Sequence, residues 1–304
     1  MLELDPDIAE IVAMFPLGTV NAETLQAVRQ ADLGPAPELS DQVVRHDHVV
    51  PGDPEVVVRV YRPLGLEGPL PCVFWIHGGG YVLGSYSMED ARFDAWCLAY
   101  GAVGVSVDYR LAPESPYPAA LEDCYSALRW VWRSHENLAV NPDRIGIAGI
   151  SAGGGLAAAL AILARDRGEV PLIFQLLECP MLDDRQVTPS SRLEGLAIWN
   201  RESNEFGWRS YLGDLYGSPD VPGYAAASRA TDLSGLPPAY VCVGALDGFR
   251  DENVEYAGRL NQAGVPTELH VYSGAPHAVG VFAGTSVGER YNRGLAEWLE
   301  RQLS

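Results

Sequence analysis

The stretch Gly149-Ile150-Ser151-Ala152-Gly153 constrains the fold of this chain more than any other. It follows a short apolar run, residues 144–148, and opens an alanine-rich segment, residues 156–164, with the pattern of a buried helix. Strand, sharp turn and helix is the setting in which G-x-S-x-G holds a serine hydroxyl above a sheet edge. The flanking glycines let strand and helix approach while the serine keeps a strained backbone. A chain with 32 glycines can contain this pentapeptide by chance, but the setting predicts a nucleophilic Ser151, with the Ala152 N–H facing the same space.

Continuous apolar runs recur along the chain and are typical of strands that are covered on both faces. These runs are Cys72–Ile76, Val103–Val107, Ile145–Ala148, Leu172–Leu177, Ala239–Val243 and Glu268–Tyr272. Helical patterns lie between and after them, at Ala119–Trp132, Asp251–Ala263 and Ser286–Leu303. Two earlier strands, Val43–Val50 and Glu55–Tyr61, are expected to form a hairpin. Strands that alternate with helices predict an α/β fold with a mainly parallel central sheet flanked by helices.

Two segments lack this alternation. Residues 1–42 have the pattern of short helices, and residues 184–232 contain no evident strand but many aromatic residues. We interpret both as parts of a helical lid over Ser151, and residues 43–183 and 233–304 as the core of a single catalytic domain. Packing on the core accounts for most of the aromatic side chains, but some are candidates for the substrate pocket. The pocket candidates in the second segment are Trp199, Phe206, Trp208 and Tyr211.

Charge and composition exclude several classes of function. The formal net charge of −19 argues against nucleic acid and anionic membranes as partners. All 21 basic residues are arginine, so the chain has no lysine. This excludes Schiff-base chemistry, a phosphate-binding P-loop lysine and a Ser–Lys dyad. No apolar run reaches the roughly 18–20 residues of a membrane span, and the acidic start of the chain does not resemble a secretory signal.

The five cysteines lie within apolar runs and show no spacing typical of a metal site. They are Cys72, Cys97, Cys124, Cys179 and Cys242. Buried free thiols in a reducing cytoplasm are the simplest interpretation. We therefore expect a cytoplasmic protein that uses no metal and no organic cofactor.

A serine hydroxyl is a weak nucleophile at neutral pH and needs a base, which in turn needs an orienting acid. His277 is the best candidate for the base, because it follows the strand Glu268–Tyr272 in a loop at the carboxyl ends of the strands. Other histidines lie on predicted strands or at a polar helix end, where structural or solvent-facing positions are expected. These histidines are His46, His48, His135 and His270.

Asp247 is the preferred acid because it also follows a strand, Ala239–Val243, at its carboxyl end. Asp251 and Glu252 come a few residues later, where we expect them to cap the next helix. The order Ser151, Asp247, His277 along the chain is that of α/β-hydrolases. In these roles Asp247 fixes the tautomer of the imidazole, and His277 moves the proton of the serine.

His77-Gly78-Gly79-Gly80 follows the strand Cys72–Ile76 directly and offers backbone N–H donors without side chains in the way. Such donors suit the negative oxygen that develops during acyl transfer. A phosphate cradle is the alternative, but the chain contains neither G-x-x-x-x-G-K-[ST] nor G-x-G-x-x-G with a following acidic residue. A glycine run and a G-x-S-x-G about 70 residues later together favour an oxyanion hole.

Taken together, these motifs resemble the hormone-sensitive-lipase-like family of microbial carboxylesterases. The matching stretches are His77–Tyr81, Asp108–Glu114, Tyr117–Asp123, Gly149–Gly154, Asp247–Glu252 and Gly274–His277. The likeness covers most of residues 43–304 and implies an α/β-hydrolase sheet with a cap built from the N-terminal segment and residues 184–232. It also implies that Gly79, Gly80 and Ala152 form the oxyanion hole.

Further roles follow from the same resemblance. His77 and Gly78 would shape the glycine loop, and Asp108 and Glu114 would support the loops around it. Tyr81, next to the glycine run, is a pocket candidate. Two departures from the family also bear on the pocket. Ile150 stands where the family often has Asp or Thr, and Ala278 follows the histidine where a glycine is common.

These observations predict a serine carboxylesterase that hydrolyses short-to-medium acyl esters through an acyl-enzyme. An ester is preferred over an amide because of the resemblance alone, so an amidase, a lactonase or a lipase on the same triad remains an alternative. A non-catalytic small-molecule receptor of this fold is a further alternative, against which His277 weighs because receptors of this kind lack the base. The run Thr267–Tyr272 is a candidate interface of a homodimer.

Overall fold

The computed structural model describes residues 3–14, 18–31 and 38–304. Residues 1–2, 15–17 and 32–37 lie outside these ranges, so the expectation for residues 1–42 is addressed only in part. Within the described ranges, eight strands form one sheet and nine α-helices accompany it. No helix in these ranges has the length and apolar character needed to cross a membrane.

The sheet is mixed at one side and parallel elsewhere. Its strands are β1 Val43–Val50, β2 Val56–Pro63, β3 Leu70–Ile76, β4 Val103–Asp108, β5 Val140–Ile150, β6 Gln175–Glu178, β7 Ala239–Gly244 and β8 Thr267–Tyr272. Their order in the sheet is β1-β2-β4-β3-β5-β6-β7-β8. The hairpin β1–β2 is antiparallel, as is the β2–β4 pair, whereas all later neighbours are parallel. The predicted α/β fold with a mainly parallel sheet is therefore confirmed.

The helices are α1 Pro6–Met14, α2 Leu25–Arg29, α3 Asp90–Tyr100, α4 Ala119–Arg133, α5 His135–Leu138, α6 Ala152–Arg167, α7 Arg201–Leu212, α8 Arg250–Gln262 and α9 Ser286–Leu303. The predicted helices correspond to α4, α6, α8 and α9. Two differences stand out: α3 is absent from the prediction, and β6 begins three residues later than the apolar run Leu172–Leu177 suggests.

The core lies on both faces of the sheet, which explains why the central strands are apolar without interruption. Phe74 and Ile76 of β3 pack into one buried cluster, and the alternate residues Val73 and Trp75 pack into the cluster on the opposite face. Helices α4, α6 and α8 contribute to the first cluster and α3 and α9 to the second. With both faces covered, the loops after the strands are the places where side chains meet a ligand.

The segments predicted as a lid contact each other in the described ranges. The Val20 N–H donates to Ser203 Oγ at 2.9 Å, and the Asn200 side chain donates to Thr19 Oγ1 at 2.8 Å. Residues 184–232, all of which the structure describes, contain α7 and short 3-10 turns but no strand.

Helix α2 also forms hydrogen bonds and an ion pair with the loops that follow β3 and β4. The Arg29 guanidinium donates to the carbonyls of Val82 and Ala112, at 2.9 and 3.0 Å, and forms an ion pair with Glu114 at 2.7 Å. The N-terminal segment therefore contacts both α7 and the loop that contains the glycine run.

Candidate active site

Ser151 occupies the sharp turn between β5 and α6, with φ 57° and ψ −121°. This left-handed backbone is strained for a residue with a side chain and persists only where the surroundings enforce it. The Ser151 N–H donates to the Glu178 carbonyl at 2.8 Å, and the Ser151 carbonyl accepts from the Met181 N–H at 2.9 Å. A Cβ at Gly149 would overlap the Gly153 carbonyl, and one at Gly153 would overlap Ile76 of β3. Both glycines are therefore needed for strand and helix to approach.

Three side chains from distant parts of the chain meet at this turn. His277 Nε2 lies 2.9 Å from Ser151 Oγ, and His277 Nδ1 lies 2.7 Å from Asp247 Oδ2. All three residues are buried, with exposed fractions of 6% for Ser151, 4% for His277 and 2% for Asp247. Because a carboxylate only accepts, Nδ1 carries the imidazole proton and Nε2 is left to accept from the serine hydroxyl. The structure thus brings together the residues that the sequence predicts as nucleophile, base and acid.

The second carboxylate oxygen of Asp247 holds the side chain in place, whereas the nearby carboxylates Asp251 and Glu252 point to other partners. Asp247 Oδ1 accepts from the Phe249 N–H at 2.9 Å. Asp251 and Glu252 lie in the first turn of α8, as predicted, but within the described ranges neither side chain forms a capping hydrogen bond to an N–H of that helix. Asp251 accepts from the Ser190 N–H at 2.7 Å, and buried Glu252 accepts from the Leu182 N–H at 2.8 Å. Both carboxylates connect the first turn of α8 to the loop after β6. These bonds cannot be predicted without knowledge of how the loop packs on the helix.

The electrostatic environment sets the protonation of His277. Burial by itself lowers the pKa of an imidazolium, but the negative charge of Asp247 at 2.7 Å outweighs it. The pKa of His277 therefore lies well above the ordinary value of 6.5. The imidazole becomes available as a base only when the pH rises above this raised pKa.

His77 is a fixed neutral support of the glycine loop. Its ring is buried, stacks on Tyr109 with ring centroids 4.2 Å apart, and its Nδ1 lies 2.8 Å from the Gly78 carbonyl. Burial lowers the pKa of His77 to about 4, so the ring is neutral at working pH. Since a carbonyl only accepts, Nδ1 carries the proton and donates to Gly78.

The glycine run leaves N–H donors next to the serine. A Cβ at Gly78 would lie 3.4 Å from Ser151 Cβ, which shows how closely the loop approaches the turn. Gly79 and Gly80 lie in a loop, and within the described ranges neither N–H donates to a backbone acceptor. Ala152 is the first residue of α6, where a backbone N–H has no partner in its own helix. The three donors predicted for the oxyanion hole therefore remain available to a ligand.

Of the predicted pocket residues, Trp199 lies directly against the glycine loop. A Cβ at Gly80 would overlap the six-membered ring of the Trp199 indole. The aromatic rings of Tyr81, Trp208 and Tyr211 pack with one another in the interior, with centroids 4.0 Å apart for the two tyrosines. Phe206 is partly buried against the core, Ile150 is half-buried and Ala278 is buried with φ 58°.

The loop-support residues predicted from the family lie in different environments. Glu114 is exposed and pairs with Arg29, as described above. Asp108 ends β4 and is half-buried, and burial raises the pKa of its carboxyl. A cavity of about 350 Å³ is lined by Arg165, Val170 and Pro237 among others, and no triad residue lines it.

A partly buried cluster of Arg92 with Glu89 and Glu178, next to the serine turn, was not found by sequence reasoning. Arg92 of α3 donates to Glu178 at 2.6 Å and to Glu89 at 2.7 Å, and its guanidinium stacks on Trp75 at 4.1 Å. Glu178 is the residue whose carbonyl accepts the Ser151 N–H. The signal available in the sequence was a carboxylate, Glu178, directly after a predominantly apolar run.

Comparison with known proteins points to a single family. A family model described as alpha/beta hydrolase fold matches residues 73–281. The chain is 36% identical to carboxylesterase NlhH of Mycobacterium tuberculosis, over 99% of this chain and 97% of that protein. It is 34% identical to esterase LipI of the same organism, over 96% and 93% of the two chains. A solved bacterial heroin esterase superposes with a TM-score of 0.92 at 40% identity, over 99% of this chain and 98% of that chain.

Proposed function

The chain belongs to the alpha/beta hydrolase fold family and is a carboxylic ester hydrolase, and from this premise we propose that it hydrolyses short-to-medium-chain acyl esters through Ser151, His277 and Asp247. The observation that carries the proposal is the continuous relay from Ser151 Oγ to His277 at 2.9 Å and on to Asp247 at 2.7 Å. Roles and geometry, rather than position along the chain, identify such a triad.

In the proposed reaction, Ser151 Oγ attacks the ester carbonyl while His277 Nε2 takes the hydroxyl proton. The negative oxygen of the tetrahedral intermediate accepts hydrogen bonds from the N–H groups of Gly79, Gly80 and Ala152. His277 then gives its proton to the leaving alcohol, and an acyl-enzyme remains on Ser151. A water molecule, deprotonated by His277, attacks the acyl group and releases the carboxylic acid. Asp247 holds the imidazole in the required tautomer and stabilises the imidazolium that forms.

We propose that the described parts of residues 1–42, together with residues 184–232, form a cap over this site, on a single catalytic core made of residues 43–183 and 233–304. The hydrogen bonds between residues 19–20 and 200–203 support a shared cap, as does the attachment of Arg29 to the loop after β3. Trp199 lies against Gly80 from this cap. Its indole therefore limits the space beside the proposed oxyanion hole.

The position of Trp199 leads to a prediction about acyl length. We expect p-nitrophenyl butyrate to have a higher kcat/KM than p-nitrophenyl palmitate, because the indole fills space that a long chain needs. Trp199→Ala should raise kcat/KM for the decanoate relative to the butyrate by about tenfold, the effect of one or two accommodated methylenes. Steady-state kinetics over a series of p-nitrophenyl esters measures this ratio.

Trp130→Ala, which removes a half-buried indole on α4 near His48, is the matched control and should leave the ratio unchanged. A wild-type preference for palmitate would contradict the short-chain proposal. Parallel assays with an anilide, a lactone and emulsified triglyceride compare the ester with the substrates of an amidase, a lactonase and a lipase.

The raised pKa of His277 predicts the pH dependence of the reaction. The protonated imidazole cannot accept the serine proton, so kcat/KM should increase as the pH rises through the His277 pKa. Because Asp247 raises this pKa, we expect the midpoint of the ascending limb above pH 6.5. The ascending limb of the pH profile of kcat/KM should have the same midpoint for phenyl and p-nitrophenyl esters. A midpoint clearly below 6.5 in kcat/KM would contradict the proposed environment of the base.

Two further expectations from the sequence remain proposals. The five cysteines are free and buried, which supports a reducing compartment such as the cytoplasm. Strand β8 is at the edge of the sheet and exposes Leu269 and Val271, which supports a homodimer through this strand. Analytical ultracentrifugation tests the dimer, and a monomer at micromolar concentration would exclude it.

A further inference from the structure

We propose that Cys179, Asp247 and His277 form a binding site for a thiophilic divalent cation such as Zn²⁺ or Cd²⁺, and that the bound cation switches hydrolysis off. The binding site rests on the positions of these three side chains, and its inhibitory effect rests on the proposed function. Neither the cation nor the thiol takes part in the ester hydrolysis proposed above.

The three side chains offer a compact set of donor atoms. One ligand atom from each residue lies within 4.8 Å of the other two, and all three residues are buried. Zinc bonds of about 2.0–2.3 Å to nitrogen, oxygen and sulfur place neighbouring donors about 3.3–3.8 Å apart in a tetrahedral site. Side-chain movements of about 1 Å therefore suffice to close the longest separation around a cation.

The backbone explains why a thiol is found at this place. Strand β6 ends at Glu178, and Cys179 follows in a left-handed conformation with φ 38°. Its N–H donates to the Cys242 carbonyl at 2.6 Å, so the turn is anchored to β7, the strand that leads to Asp247. The thiol is thereby placed at the same sheet edge as the acid and the base.

Ligand chemistry selects the class of cation. A thiolate with an imidazole and a carboxylate suits Zn²⁺ and Cd²⁺, whereas Mg²⁺ prefers oxygen ligands and keeps its waters. Burial raises the pKa of the Cys179 thiol, but a coordinating cation deprotonates a thiol outright. At a pH above the His277 pKa, where the imidazole is neutral, binding therefore releases one proton, from Cys179, to solvent, and no electron transfer occurs.

Coordination at the imidazole stops the proton relay. A cation on Nδ1 replaces the proton that Asp247 now accepts, so the neutral ring carries its proton on Nε2. Nε2 then cannot accept the proton of Ser151. A cation on Nε2 occupies the acceptor directly. In both cases the serine loses its base, and because the three residues are buried we expect the inhibition to develop slowly.

A titration that is independent of turnover tests the binding site. Full-length Ser151→Ala protein is titrated with Cd²⁺, and the ultraviolet charge-transfer absorption of a cadmium–thiolate bond is recorded. We expect one equivalent to saturate the band, and Cys179→Ala in the same background to remove it. Cys124→Ala, which removes another buried thiol outside this group, is the matched control and should keep the band. A band of equal size without Cys179 overturns the proposal.

A second experiment tests the switch in the active enzyme. Cys179→Ala should require at least tenfold more Cd²⁺ for half-inhibition than the wild type, and Mg²⁺ should have no effect on either. Cys179→Ser serves the same purpose if the alanine variant does not fold, because it keeps the shape but replaces the soft donor. Equal sensitivity of wild type and variants to Cd²⁺ overturns the proposal. A cadmium–thiolate band in a protein that hydrolyses no ester would count against the proposed function and leave the metal site standing.

Discussion

Ser151→Ala is expected to lower kcat for p-nitrophenyl butyrate by about 10⁶-fold, to the residual rate that binding and the oxyanion hole supply. The alanine retains the backbone of the turn but has no oxygen to form the acyl-enzyme. KM should change little, because the hydroxyl contributes more to the transition state than to binding of the ester. Steady-state assays with purified protein measure the decrease in kcat.

Ser106→Ala is the matched control, since Ser106 of β4 is a buried serine whose hydroxyl has no hydrogen-bond partner within the described ranges. This variant should keep at least half of the wild-type kcat. Comparable thermal unfolding of both variants separates a loss of chemistry from a loss of folding. A Ser151→Ala protein with more than about one hundredth of the wild-type kcat would show that another nucleophile carries the reaction.

Asp247→Asn is expected to lower kcat by about 10⁴-fold while the site keeps its shape. The amide can donate to His277 Nδ1, which favours the tautomer with the proton on Nε2. This tautomer cannot accept from Ser151. Removal of the negative charge should also lower the pKa of His277, so the ascending limb of the residual activity should move to lower pH.

Asp251→Asn distinguishes the role of Asp247 from that of a nearby carboxylate. Asp251 accepts from Ser190 and pairs with Arg250, and its removal should leave kcat within a few-fold of the wild type. Equal losses in the two variants, or a loss confined to Asp251→Asn, would contradict the assignment of the acid. The pH profiles of both variants provide a second readout that a general loss of stability does not reproduce.

The sequence predicts those features that depend on local rules. An apolar run followed by G-x-S-x-G specifies a strand, a turn and a helix, and the loops after two other strands contain Asp247 and His277. Because the carboxyl ends of parallel strands share one edge, such residues are brought together without any knowledge of helix packing. The preference for Asp247 over Asp251 depends on this reasoning, and the structure places Asp247 beside the imidazole.

Features that depend on packing between distant segments were not predicted. Helix α3 was missed because the side that faces the sheet includes Arg92, a charge that breaks the apolar stripe by which a helix is identified. Its partner Glu178 is 86 residues away along the chain. The bonds of Asp251 and Glu252 to the loop after β6, and the position of Cys179 beside the triad, likewise depend on how helices and loops pack.

The most direct test of the account is the chemical identity of the residue that a fluorophosphonate modifies. Wild-type protein is labelled at a pH above the His277 pKa, digested, and the adduct is mapped by tandem mass spectrometry. We predict one adduct, on Ser151, with a labelling rate that falls as the pH drops and His277 becomes protonated. A fully folded protein that stays unlabelled, or that carries its adduct on a different residue, would contradict the account.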